Sequence, residues 1–243
     1  MRATFIGTGE AFDERLPNTS VLIESKINLL LDCGYSVPRS LWSRNSGKDF
    51  LEAIYITHFH ADHYFGLVPI ITRMWESGRT KKLTLIGQKD LKERIGNMMA
   101  LGYPGFLDRL KFKIAFKKAS VRFRIGDLSI KTAQTQHSVK NLAVRVSDGK
   151  KSLSYSGDGV PTEESCALYE SSDALVHDSF LLDKTIPGVH PCIRDVLTFS
   201  PFVKKLYLVH MQRDLRRNKR LLSKVTNGFA NVHVPDAMDK IML

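Results

Sequence analysis

Six consecutive positions, His58-Phe59-His60-Ala61-Asp62-His63, carry three imidazoles and a carboxylate. The whole chain of 243 residues has only 8 histidines. Imidazole nitrogen and carboxylate oxygen are donors that suit zinc, at about 2.0–2.2 Å. In an extended segment, residues i and i+2 point the same way, so His58 and His60 can converge on one ion. Asp62 and His63 come at the turn into a helix and can serve a neighbouring ion. A polar loop that is merely rich in histidine has the same composition. Partners elsewhere in the chain decide between the two.

Candidate partners stand at the ends of predicted strands. His137 follows "IKTAQTQ", Asp158 follows "SLSYSG", and His210 closes "KLYLV". Strand ends along one sheet edge are where sites are assembled from distant segments. His137 would give the first ion a third nitrogen. Asp158 has two oxygens and can bridge, and His210 would complete the second ion. Two ions about 3.5–4 Å apart can clamp both oxygens of a displacement reaction. Taken singly, His137 and His210 read as ordinary polar or core histidines. Asp158, in "SGDG", reads equally as a turn aspartate.

The elements that would position these residues are mostly strands. "ATFIG", "SVLIES", "INLLLDCG", "AIYIT", "LTLIG", "LSIKTAQ", "NLAVRVS", "SLSYSGD", "ALVHDS" and "VKKLYLVH" are short apolar or alternating runs ended by Gly, Asn or charge. After the His cluster, Leu67, Ile70, Ile71, Met74 and Trp75 recur at helical spacing, with Pro69 in the first turn. Leu91, Ile95, Met98 and Met99 predict a second helix. Residues 109 to 124 alternate basic and apolar side chains in places, as an exposed strand pair would. Strands with interspersed helices predict sheets packed face to face with helices outside. No linker-like or repetitive tract divides the chain, so residues 1–243 are read as one domain.

Composition narrows the class. Hydrophobic content of 43% and charged content of 25% are those of a soluble globular protein. No apolar run approaches the roughly 20 residues that span a bilayer, and the start shows no signal-peptide pattern. The three cysteines, Cys33, Cys166 and Cys192, are odd in number and widely spaced. That pattern fits a reducing cytoplasm better than a disulfide framework. A net charge of +11 favours acidic partners, phosphate polymers first among them. Arg213, Arg216, Arg217, Lys219, Arg220 and Lys224 follow His210 directly. Such a run reads either as a solvated face or as a grip on phosphates beside a scissile bond.

At this point the residues match a family. "THFHADH" resembles the H-x-H-x-D-H signature of metallo-β-lactamase-fold hydrolases, and the chain is most similar to ribonuclease Z-like phosphodiesterases. The resemblance extends through "FIGTGEAFDERLPNTS", "GRTKKLTLIGQKDLKERI", "TQHSV", "SGDG" and "LVHMQRD". It implies an αββα sandwich, two mixed sheets with helices on both outer faces. It implies two Zn2+ ions, with Mn2+ or another divalent ion as substitutes. His58, His60 and His137 would hold one, Asp62, His63 and His210 the other, and Asp158 would bridge. It also implies that Asp62 orients the attacking water. "VHDSF" and "GVHPCIRD" supply Asp178 and His190, an acid–imidazole pair that would protonate the leaving oxygen. Asp178 replaces a usual Glu, Gly159 a usual Thr, and Pro191 a small hydroxyl residue. The interval from His137 to Asp158 has no room for the long arm with which many bacterial ribonucleases Z grip tRNA.

The implied function is zinc-dependent phosphodiester hydrolysis, most directly of RNA and of tRNA 3′ ends. A small cyclic or generic phosphodiester is the alternative, with thioesters further off. Arg213, Arg216 and Arg217 are the candidate substrate-binding residues. Members of the family are often dimers, so the resemblance leaves a homodimer open, although the sequence marks no interface; no membrane partner is expected.

Overall fold

The sandwich is built from strands whose alternate residues face different layers. In this computed structural model, the described residues are 1–44 and 47–243. An antiparallel meander opens the chain: β1 (Arg2–Gly7), β2 (Ser20–Glu24) and β3 (Asn28–Leu31). Helix α1 (Val37–Ser43) leads to β4 (Ala53–Tyr55), and the His-rich segment enters the short helix α2 (Ala61–Tyr64). Then come α3 (Leu67–Glu76), β5 (Leu83–Gly87), α4 (Leu91–Gly102) and β6 (Ile114–Lys118). A second antiparallel run follows: β7 (Arg122–Ile125), β8 (Leu128–Thr135), β9 (Asn141–Ser147) and β10 (Ser152–Tyr155). The chain continues through α5 (Glu163–Tyr169), β11 (Ala174–Asp178), α6 (Ile193–Leu197) and β12 (Leu206–Val209). It ends in α7 (Arg213–Arg217), α8 (Lys219–Thr226), β13 (Val232–His233) and β14 (Lys240–Met242).

Among the described residues these strands form two seven-stranded sheets, ordered β14-β1-β2-β3-β4-β5-β6 and β13-β12-β11-β10-β9-β8-β7. Each is antiparallel through its meander and parallel beyond it. This is the mixed two-sheet sandwich that the sequence implies. One expectation fails in detail. Segment 109–124 contains β6 and β7, but they do not pair. β6 closes the first sheet on β5, and β7 closes the second on β8. Basic and apolar alternation marks an edge strand whichever sheet it borders, so sequence could not assign the partner.

Three apolar layers follow from the period-2 pattern. Ala3 and Phe5 of β1 and Leu29 and Leu31 of β3 face Ile130, Val144, Val146, Leu153 and Val176 across the sandwich, all buried. The odd-out neighbours, Ile6, Leu22 and Leu30, face outward against Leu41, Leu67, Ile70, Ile71, Ile95 and Met99 of α1, α3 and α4. On the far side, Leu175, Leu206 and Leu208 pack against Leu168, Ile193, Val196 and Leu222 of α5, α6 and α8. Two tyrosines cross the apolar middle in opposite directions. The Tyr55 hydroxyl donates to Leu142 O at 3.0 Å, and the Tyr155 hydroxyl donates to Asp32 Oδ2 at 2.9 Å. Burial pushes both phenols well above their ordinary pKa, and the Asp32 carboxylate adds to this. Both therefore remain O–H donors. Among the described residues no helix is long and apolar enough to cross a membrane.

One backbone approach seats the His-rich segment on the sheet. Cys33 N–H donates to His63 O at 2.7 Å, and Gly66 N–H donates to Cys33 O at 2.9 Å. These bonds draw α2 so close that a Cβ on Gly34 would stand 1.9 Å from Asp62 O. No side chain fits there. Gly34→Ala is expected to cost roughly 1–3 kcal/mol through overpacking and to push Asp62 and His63 outward. The urea midpoint and the bound-metal content should fall together. A variant with native stability and full metal content would show that the approach is not what places α2.

Candidate metal centre

Each sequence-predicted donor reaches one edge of the sandwich from a strand end. His58 and His60 follow β4, Asp62 and His63 lie in α2, and His137 comes just after β8. Asp158 follows β10, Asp178 ends β11, and His210 follows β12. Two strand ends at this edge use left-handed backbone at residues with a side chain. Asp32, after β3, has φ 58°, and His210 has φ 56°. Such positions cost of order 1–3 kcal/mol each and persist where the surroundings over-determine them. At His210 the turn is held by its N–H donating to Thr8 O at 3.1 Å.

Two donor groups share one carboxylate. His58, His60, His137 and Asp158 place ligand atoms within 4.8 Å of one another, as do Asp62, His63, Asp158 and His210. Asp178, His190 and His210 form a third such group. Asp158 Oδ1 is 3.3 Å from His63 Nε2, while its Oδ2 is 3.5 Å from His210 Nε2 and 3.9 Å from both His58 Nε2 and His137 Nε2. His60 Nδ1 is 3.1 Å from His137 Nε2, and Asp62 Oδ2 is 3.2 Å from His210 Nε2. The structure thus brings these seven side chains together in two groups that share Asp158.

The outer hydrogen bonds select tautomers that aim lone pairs inward. Asp32 is fully buried and accepts four bonds: from Thr57 N–H and Thr57 Oγ1 at 2.8 Å, from His63 Nδ1 at 2.7 Å, and from Tyr155. A carboxylate can only accept, so Nδ1 of His63 always carries a proton, and in the neutral ring Nε2 is the lone-pair nitrogen that faces Asp62 and Asp158. The Thr57 hydroxyl spends its proton on Asp32, so at 3.0 Å it accepts from His58 Nδ1. His58 Nε2 is then the free nitrogen. His137 Nδ1 donates to Val189 O at 2.7 Å, which frees its Nε2 in the same way.

This arrangement fits a bound divalent cation. His58 Nε2, His63 Nε2 and Asp158 Oδ1 are buried without a hydrogen-bond partner. Orphaned buried polar atoms are costly, and these three face one another. Asp32, Asp62, Asp158 and Asp178 are buried, and among the described residues their ion-pair partners are all histidines. Positive charge must come from protonated imidazole or from a metal. Without an ion, burial works against charge on His210, yet Asp158, Asp62 and Asp178 carry its pKa up to about 9. His63 is raised well above its ordinary value against the same burial penalty. Burial also works against the Asp62 carboxylate, but His63 and His210 hold it far below the usual range. His58, by contrast, is driven down by burial and by His63.

Beside the donors lies the second predicted pair. His190 Nδ1 is 2.8 Å from Asp178 Oδ2, and that oxygen also accepts from Gly159 N–H at 3.1 Å. Burial alone would lower the His190 pKa, but Asp178 outweighs it and raises the value. Gly159 has φ 111°, and a Cβ there would meet Gln136 O and Thr135 Oγ1 at 2.6 Å. The departure from Thr at this position is therefore required by the local backbone. The predicted substrate-binding arginines are all engaged. Arg213 Nη1 pairs with buried Glu10 at 2.9 Å, Arg216 Nη2 with Asp236 at 2.6 Å, and Arg217 with Glu14. Sequence reading missed Asp32, Thr57 and Tyr155. "DCG" directly after an apolar run was the available signal for Asp32.

The two mixed sheets and their flanking helices define a protein of the metallo-β-lactamase fold, with donor groups at one edge that could hold metal. Human tRNase Z, short form, superposes with a TM-score of 0.80 at 20% identity, covering 100% of this chain and 99% of that one. Within that class the family model described as "Anti-Pycsar protein Apyc1" matches residues 1–234, and the chain belongs to that family. It is 26% identical to the Anti-Pycsar protein Apyc1 of Bacillus phage vB_BsuM-Goe3, across 86% of this chain and 88% of the phage protein. It is 31% identical to ribonuclease Z of Methanosarcina mazei over 58% of this chain. That alignment covers 47% of the archaeal protein, so the match spans about half of its length.

In Asp32→Asn the new amide N–H would meet His63 Nδ1 as a donor and draw the imidazole proton to Nε2. Affinity for the ion served by His63 should fall about 10–100-fold, measured by titration of the metal-free protein. Unchanged affinity would show that Asp32 does not set the tautomer.

Proposed function

We propose that the protein is a zinc-dependent phosphodiesterase whose preferred substrate is a small cyclic phosphodiester of a nucleotide. The observation that carries the hydrolytic reading is the convergence of seven donors around Asp158 with an acid–imidazole pair beside them. His58, His60 and His137 would hold one ion, Asp62, His63 and His210 another, and Asp158 would bridge. Bound ions would supply an acidified water and neutralise charge on the phosphoryl oxygens. Asp62 orients the attacking water. Asp178 fixes the proton of His190 on Nδ1 and favours the imidazolium. His190 then delivers its Nε2 proton to the departing oxygen as the P–O bond breaks. Water supplies the new P–O bond, and a phosphomonoester is released.

Three features support a small substrate. The chain between His137 and Asp158 is consumed by the β9–β10 hairpin, which leaves no arm to hold a folded RNA. Arg213, Arg216 and Arg217 are tied to acids of this same chain. A groove of about 1150 Å³ opens at His137 between β8 and α5, with Thr135, Leu142 and Leu168 on its walls and Arg122 and Lys131 at its rim. That is room for a sugar and base beyond the scissile phosphate. A second reading is RNA, including tRNA 3′ ends. The similarity to a ribonuclease Z and the net charge of +11 favour it.

Zinc-loaded protein should hydrolyse cyclic mononucleotides and an aryl phosphodiester, and chelation should abolish both activities until zinc is restored. Cleavage of precursor tRNA at its trailer without cyclic-nucleotide hydrolysis would establish the second reading instead. Asp158→Ala should eliminate turnover and weaken metal binding; full activity with two bound ions would remove Asp158 from the centre. His190→Ala should lower kcat by about 10²–10⁴-fold with metal content intact, as read by elemental analysis. Loss of metal in that variant would make His190 a ligand.

A further inference from the structure

Asp178 and Phe180 stand two residues apart on the segment that leaves β11. Both meet His190, in different ways. Asp178 holds one atom of the imidazole, Nδ1, at 2.8 Å. The Phe180 ring lies along the imidazole face, with centroids 4.6 Å apart and planes inclined by 24°. The His210 ring completes a triangle, 5.4 Å from His190 and 6.2 Å from Phe180. Phe180 is itself clamped by backbone. Its N–H donates to Pro191 O at 3.2 Å, beside His190, and its carbonyl accepts from Gln212 N–H at 2.9 Å, beyond His210.

A single hydrogen bond to Nδ1 leaves an imidazole free to pivot about that bond. A flat ring fixed against its face removes that freedom, because any pivot separates the stacked surfaces or drives them into collision. We propose that Phe180 is a positioning residue for the leaving-group proton donor: it sets the plane of His190 so that Nε2 points at the departing oxygen. The inference rests on the reading of His190 as that donor. It does not involve Phe180 in holding metal or substrate.

The test is leaving-group dependence. A nitrophenolate departs without protonation, whereas a ribose alkoxide requires it. Phe180→Leu keeps apolar volume but lacks the flat face. It should lose about 10-fold or more in kcat on a cyclic mononucleotide, a part of the general-acid contribution, and less than about threefold on a nitrophenyl phosphodiester. KM and zinc content should not change. Phe180→Tyr should restore wild-type behaviour on both substrates. Equal losses on both substrates, lost zinc, or a Leu variant as active as wild type would overturn the proposal. His190→Ala is the control for the underlying reading. If it shows no leaving-group discrimination, the donor assignment fails, and if wild type hydrolyses neither ester, the phosphodiesterase reading fails.

Discussion

The carboxylate of Asp32 is the constraint on which the rest of the site depends. It is buried with no Lys or Arg partner among the described residues, and it accepts four hydrogen bonds from three segments. Thr57 ties it to the strand that carries His58 and His60. His63 ties it to α2, and Tyr155 ties it to the opposite sheet. A charged acceptor with this many donors resists loss of any one of them, since each orphaned partner costs about 1–3 kcal/mol. The same group therefore holds the two sheets in register at the site's edge and selects the tautomers of the donors above it.

Around that anchor the fold concentrates negative charge and withholds the usual counter-ions. Asp62, Asp158 and Asp178 join Asp32 in a region where only imidazoles face them. Buried carboxylates without cations are expensive. The raised pKa values of His63 and His210 show how the metal-free chain meets that cost. A divalent cation meets it more fully and satisfies the orphaned nitrogens at once. The electrostatics that makes a bare cluster of carboxylates costly would equally favour a bound cation. The arginines that a sequence scan associates with phosphate binding are spent on Glu10, Asp236 and Glu14 at the periphery. Positive charge at Arg213, Arg216 and Arg217 thus braces loops.

Much of this was legible in the chain. The donors could be named because His and Asp are dense in one short motif and recur at strand ends. Strand and helix faces followed from periods of 2 and 3.6, as with Leu29 and Leu31 inward, Leu30 outward, and Leu67, Ile70, Ile71 and Met74 along α3. Short closing elements were not legible. β14 has three residues and gains its identity only by pairing with β1, and β6 and β7 looked alike although they border different sheets. Asp32 was overlooked because a lone aspartate before Cys and Gly carries no periodic signal.

What the sequence by itself determined is chemistry: which side chains bear nitrogen and oxygen donors. Local pattern suffices for that, because donor type is a property of each residue. Tertiary structure alone decided orientation. That Asp32 fixes His63, that Val189 fixes His137, that Phe180 lies flat against His190, and that Gly34 admits α2 against the sheet are contacts between segments far apart in the chain or turned upon themselves. Such contacts depend on where backbones come to rest after the apolar layers pack, and no spacing along the chain encodes them.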